Sequence, residues 1–268
     1  MFPDFLADVF INYSAVPPYL DGARSRGVLW QAAPGRFLLD LPDVARFLVE
    51  SGTKVTIDPS PTAEEADLRR FARMAPLAAL CYQRSMLALH AAAVVGPSGA
   101  ILIAGDSGAG KSTLLAAMLK REWSFLADDL AAVSLAENGL SMVYPAFPEL
   151  ALWSDARGKL AFDDSDTGRH LLPRVESFGT TPQPLRALFR LAVHKGEIEL
   201  ADVTGTRLFD TLTTLSYNSR IADALLERAA FMRQASAIAR TVPVRTLRRP
   251  RDRWCAGELA DLLEESYS

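Results

Sequence analysis

From His90 onward the apolar positions fall in short continuous blocks, Ala91 to Val95 and Ala100 to Ala104, separated by Gly96-Pro97-Ser98-Gly99. Blocks of that length bounded by turn residues predict two buried strands. The whole span from Ser85 to Gly105 contains no Asp, Glu, Lys or Arg, which is long enough to suggest a membrane helix. The Pro/Gly turn divides it into Leu87 to Val95 and Ala100 to Ala104, so two strands explain it better. Beyond it, Lys111 to about Arg121 places Leu114, Leu115, Met118 and Leu119 on one helical face. Ser124 to Ala127 and Leu130 to Leu135 read as strands, Glu137-Asn138-Gly139 as a turn, and Leu140 to Tyr144 as the returning strand.

Upstream, Gly35 to Asp40, Val44 to Val49 and Lys54 to Asp58 form apolar clusters, the last alternating as a half-buried strand does. Together they predict a small mixed α/β module. Thr62 and Glu65 have capping-box spacing for a helix to about Arg73, and Pro76 opens a second helix to about Leu87. Downstream, 145–184 has little periodicity and many prolines and glycines. Leu185 to Val193 and Glu197 to Val203 read as strands, Leu208 to Leu215 and Arg220 to Arg240 as helices, Val242 to Leu247 as a strand and Cys255 to Glu265 as a closing helix. The division expected from these patterns is an accessory α/β module over 1–75 and a larger α/β domain over 76–268.

Composition narrows the functional classes. The 268 residues are 49% hydrophobic and 23% charged, which excludes a mainly disordered or collagen-like chain. A net charge of -3 gives no global attraction to a polyanion, so neither nucleic acid nor a membrane is an expected partner. Cys81 and Cys255 are far apart with no Cys/His spacing around them, which excludes a disulfide scaffold or zinc finger and suits a reducing compartment. Met1-Phe2-Pro3-Asp4-Phe5 has no basic segment ahead of its apolar residues, so a cytoplasmic location is expected.

The chemistry is carried by Gly105-Asp106-Ser107-Gly108-Ala109-Gly110-Lys111-Ser112, followed by Thr113. It matches G-x-x-x-x-G-K-[ST] in full and lies between an expected strand and an expected helix. Glycines at 105, 108 and 110 let successive N–H groups turn inward onto phosphate oxygens, and the helix N-terminus adds its positive end. Lys111 would reach the β and γ phosphates of a nucleotide, and the Ser112 hydroxyl would hold Mg²⁺. Seventeen positions after Lys111, Asp128-Asp129 ends a strand. There one carboxylate would serve the metal and the other could take a proton from an acceptor hydroxyl. His90 precedes the first strand of the pair; a single His in an apolar run also suits a satisfied core position. Arg248-Arg249-Pro250-Arg251-Asp252-Arg253 reads as a solvated turn, with docking of an acidic peptide as its functional alternative.

The segments LHAAAVV, GDSGAGKST and FLADDLAAV, from about His90 to Val133, resemble the catalytic domain of HPr kinase/phosphorylase. More loosely, from Phe37 to about Leu262, the chain resembles the short HPr-kinase-like serine kinases, some of which accompany lasso-peptide genes. The resemblance implies a P-loop kinase domain of the PEP-carboxykinase-like type and ATP·Mg²⁺-dependent phosphorylation of a serine in a peptide or small protein. In some relatives this is the C-terminal serine of a precursor peptide. It implies Asp128 as general base, Asp129 in metal and phosphate positioning, His90 beside the carboxylates, Ser112 on Mg²⁺, and assembly into homo-oligomers. No Glu-Ile-Arg-Gly segment, which supplies a metal-binding Glu in HPr kinase, is found here, and Glu149 is its nearest candidate. Phosphorylation of free serine, or nucleotide binding without catalysis, are the alternatives.

Overall fold

The computed structural model describes residues 1–160, 169–173 and 175–267. The chain is mixed α/β, built on two mixed sheets and a two-stranded ribbon. It divides into two compact units, each made of two stretches of chain: Met1–Ala88 with Ser216–Gln234, and Leu89–Leu215 with Ala235–Ser268.

The first unit is mainly a sheet. Its strands are β1 (Phe10–Tyr13), β2 (Ser25–Arg26), β3 (Trp30–Ala33), β4 (Arg36–Leu41), β5 (Ala45–Glu50) and β6 (Lys54–Pro59). They are ordered β1-β6-β5-β4-β3-β2, antiparallel throughout except for β1 beside β6. In β5 the alternation is clean: Ala45, Phe47 and Val49 are buried and the residues between them half-buried, as a one-faced strand requires. In β6, Val55 and Ile57 are buried as expected, but so is Thr56.

Two helices follow, α1 (Glu65–Ala72) and α2 (Ala75–Gln83). Glu64, not Thr62, takes the cap position of α1 and makes no side-chain cap bond, while Thr62 shares a hydrogen bond with Ser60 instead. The expected capping box does not form. α2 also stops earlier than expected: Ser85 adopts φ +60°, and Leu87–Leu89 is already a strand, β7. Seven consecutive residues of α2, Pro76 to Tyr82, are buried, so this helix is apolar all round rather than amphipathic. Arg84, just beyond it, donates to the Gly52 carbonyl at 2.6 Å and to the Asp8 carboxylate at 2.8 Å.

The second unit begins with a hairpin of β8 (Ala91–Gly96) and β9 (Gly99–Gly105), in the register Ala91 opposite Ala104 and Val94 opposite Ile101. Both strands are almost wholly buried, the expected consequence of their charge-free composition. The chain continues through α3 (Lys111–Leu119), β10 (Ser124–Ala127), β11 (Ala131–Leu135) and β12 (Ser141–Tyr144). Residues 145–184, read as aperiodic, contain β13 (Glu149–Trp153), α4 (Ser154–Lys159) and β14 (Arg169–Pro173), with β13 and β14 paired antiparallel. Residues 161–168 and 174 of that stretch lie outside the described residues.

β15 (Gln183–His194) is the longest strand, followed by β16 (Glu199–Asp202) and α5 (Thr206–Leu215). The expected long helix over 220–240 is two: α6 (Ser219–Leu225) and α7 (Arg228–Thr241), broken where Leu226 turns to extended backbone. The α6 segment belongs to the first unit, where Arg220 donates to the Arg26 carbonyl at 2.9 Å and lies over the Trp30 ring. β17 (Val244–Pro250) and α8 (Ala256–Tyr267) complete the second unit.

In the second unit's sheet β9 runs parallel to β15, and β15 parallel to β17, with Leu102 opposite Leu188 and Leu191 opposite Leu247. α3 and α8 pack together, and their core includes Ile101, Ile103, Leu115, Met118, Phe125 and Phe189. This arrangement fixes the β9–α3 turn at the end of a rigid parallel strand. Among the described residues no helix is long and apolar enough to cross a membrane.

Candidate functional site

β9 ends at Gly105, and the turn from Asp106 to Gly110 delivers the chain into α3. Gly105, Gly108 and Gly110 have φ of +145°, +81° and +104°, a region that side-chain-bearing residues rarely adopt. At Gly105 space matters as well: a Cβ there would lie 2.4 Å from the Leu191 carbonyl oxygen of the adjacent β15. The turn is closed by Ala109 N–H on the Asp106 carbonyl at 3.1 Å and by Leu114 N–H on Gly110 at 2.9 Å.

Lys111 starts α3 and is buried. Its Nζ lies 2.9 Å from the Gly105 carbonyl, 3.3 Å from the Asp106 carbonyl and 2.9 Å from His90 Nε2. An ammonium has only donors, so in this contact Nε2 accepts. In a neutral imidazole the proton then resides on Nδ1, and Nδ1 lies 3.4 Å from Asp129 Oδ1. His90 follows β7, with its own N–H on the Leu215 carbonyl at 2.7 Å. The structure thus brings Lys111, His90 and Asp129 into one continuous polar row.

The two carboxylates after β10 face different surroundings. Asp129 is half exposed and lies on the wall of a cavity of about 490 Å³, together with Ser107, Ser112, Thr113, His90 and Lys111. Asp128 is buried, and its Oδ2 accepts the Ala151 N–H of β13 at 2.9 Å. Gly108 and Gly110 also line the cavity. Asp106, exposed, contributes its carbonyl, and Ala109, buried, contributes a carbonyl on the turn's other side. Glu149 opens β13 and is not on the cavity wall. Among the described residues no three His, Cys, Asp or Glu side chains cluster as metal ligands. The Ser112 hydroxyl and the Asp129 carboxylate on one cavity wall are nonetheless a donor set that suits Mg²⁺, which takes one or two protein oxygens and completes its shell with phosphate and water.

Most of the basic run read as a solvated turn lines the same cavity, through Arg249, Arg251, Asp252 and Arg253. Arg249 Nε donates to the Ala109 carbonyl at 2.8 Å and Nη1 to the Pro250 carbonyl at 3.1 Å, so this arginine ties β17 to the Gly-rich turn. The signal in the sequence was the charge run itself; its contact depends on β17 lying one strand beyond β15. Arg251, Arg253 and Trp254 line the same cavity, along with Lys159 of α4. Arg253 is engaged by Glu197 and Glu258, and Arg251 N–H is fixed on the His194 carbonyl at 3.0 Å.

No family model matches the chain, and no curated protein does. Among solved structures it is similar to the HPr(Ser) kinase/phosphatase from Coxiella burnetii, with 12% sequence identity over 66% of this chain and 91% of that one, at a TM-score of 0.37. At that score the likeness assigns neither fold nor activity.

Proposed function

We propose that this chain is an ATP- and Mg²⁺-dependent kinase that transfers the γ-phosphate to a serine hydroxyl of a peptide or small protein. The observation that carries the reading is the row Lys111–His90–Asp129 on the same cavity wall as the Gly-rich G-x-x-x-x-G-K-S turn at a helix N-terminus. The fold type that goes with it is a P-loop kinase domain. Ser112 and Asp129 would hold Mg²⁺, which when bound neutralises charge on the phosphate chain.

The turn's N–H groups and Lys111 stabilise the negative charge spread over the transferring phosphoryl group. The serine oxygen forms a bond to the γ-phosphorus as the bond to the β,γ-bridging oxygen breaks, and ADP departs. A carboxylate takes the serine proton. The resemblance gives that role to Asp128; Asp129, exposed on the cavity wall, takes it only if Ser112 alone among the protein residues holds the metal. His90, held by Lys111 on one nitrogen, orients Asp129 with the other.

The test is mass spectrometry of a serine-ended precursor peptide, HPr and free serine, each incubated with the protein, ATP and Mg²⁺, beside Asp128→Asn and Asp129→Asn. A phosphate-sized mass gain on a peptide or protein acceptor supports the kinase, and its loss in Asp128→Asn with Mg²⁺-dependent ATP binding kept assigns the base to Asp128. Gain on free serine alone replaces the acceptor class. Absence of transfer to all three, with ATP bound, overturns the reading in favour of nucleotide binding without catalysis.

A further inference from the structure

The cavity extends from the phosphate turn to a wall whose aromatic member has no part in the chemistry above. Trp254 lies on that wall and is 39% exposed, whereas Trp30 and Trp123 are buried. An indole left open to a cavity costs hydrophobic stabilisation that an ordinary core position would gain. Its backbone is well anchored. The preceding Arg253 is held by Glu197 and Glu258, and the following Cys255 is buried in the core under α8. Lys159 lies 4.7 Å from the ring centroid, and among the described residues no aromatic ring stacks on Trp254. Five positions earlier Arg249 grips the turn through Ala109, so platform and phosphate cradle are fixed to each other through one short segment.

Of the cations on this wall, Arg249, Arg253 and Lys159 have defined partners, and Arg251 lies beside them. Arg249 is on the turn, Arg253 is in ion pairs and Lys159 is over the indole. Beside these cations the wall carries one aromatic surface, the 39% exposed indole of Trp254, in a space of nucleotide size. Resting on the kinase reading, we propose that Trp254 is the base-stacking platform of this site, which takes a nucleoside triphosphate by its purine ring as well as by its phosphates. Every base has a π face, so stacking discriminates by ring size and not by hydrogen-bond pattern. The chain also has no Asn-Lys-x-Asp segment to select guanine. ATP and GTP therefore bind alike, and both bind better than CTP or UTP.

The experiment is calorimetric titration of the full chain, as wild type, Trp254→Ala and Trp254→Phe, with ATP, CTP and inorganic tripolyphosphate in Mg²⁺. The expected result is a roughly tenfold or larger rise in the ATP Kd for Trp254→Ala, with most of the loss recovered in Trp254→Phe. Tripolyphosphate affinity should stay within about twofold in both variants, which also reports an intact turn. Equal weakening of ATP and tripolyphosphate, or no weakening of either, overturns the platform while leaving the phosphate cradle in place. Unchanged ATP affinity with weaker binding of a phosphorylatable peptide assigns the wall to the acceptor and overturns it too. Failure of wild type to bind either ATP or tripolyphosphate removes the kinase reading and the platform together.

Discussion

Lys111 Nζ and His90 Nε2 lie 2.9 Å apart, although the two residues stand on opposite sides of the β8–β9 hairpin in sequence. The contact ties the tautomer of His90 to the buried Lys111 ammonium, and through it fixes the edge of the ring that meets Asp129.

Coupling between His90 and Asp129 follows from that row. His90→Ala and Asp129→Asn should each lower phosphotransfer by roughly 10- to 100-fold. The double variant should be little worse than the poorer single one, because residues that act as a unit are not additive. A double-mutant cycle on the rate of acceptor phosphorylation checks this, and full additivity would show that the 3.4 Å approach has no functional role.

Lys111→Met should abolish measurable transfer and weaken tripolyphosphate binding by more than tenfold, since the group removed is the charge at the centre of the cradle. Titration of the variant with tripolyphosphate is the check. Retained affinity would place phosphate elsewhere.

The glycines of the turn should not be equivalent. Gly105→Ala combines a strained φ with a Cβ 2.4 Å from the Leu191 carbonyl, and should cost on the order of 3 kcal/mol or more. Gly108→Ala meets nothing within 4 Å and should cost only the left-handed conformation, about 1 kcal/mol. Urea unfolding of the two variants measures the gap, and equal costs would contradict the close packing of β9 on β15.

Arg249 should act by position rather than by charge. Arg249→Ala and Arg249→Lys should both raise the tripolyphosphate Kd by about fivefold or more, because the fixed fork that reaches Ala109 is missing from lysine as well. Full rescue by Lys in the same titration would mean that its charge alone matters.

In the first unit, complete burial pushes the Cys81 thiol up from 9.0 to about 12. Between those values the folded chain keeps the proton and the unfolded chain releases it, so stability falls as pH rises, by about 1.4 kcal/mol per pH unit. Thermal melts at pH 8 and 10 should show a larger loss for the wild type than for Cys81→Ala. Equal losses would mean that Cys81 is not the group responsible.

Local pattern made much of this legible. The β8–β9 hairpin, the Gly-rich turn and α3 are dictated by composition and spacing over a few residues, and they appear close to where the sequence places them. The elements within 145–184 were not legible, because β13 and β14 satisfy each other as a ribbon and need no strong amphipathic pattern of their own. Thr62 failed as a cap because its hydroxyl found Ser60, a local competition that spacing does not reveal. Arg249 and Trp254 were unreadable as site residues for a different reason: only the parallel order β9-β15-β17 brings the end of β17 beside the turn.

The return of Ser216–Gln234 to the first unit has a bearing on how the protein is made. A nascent chain leaving the ribosome can form the β3–β6 meander early, because those strands are neighbours in sequence. Tyr82, however, finds the Tyr217 carbonyl at 2.8 Å, and Arg26 its Arg220 partner, only after all of β7 to α5 has emerged. The N-terminal unit therefore completes these contacts only once β7 to α5 have been synthesised.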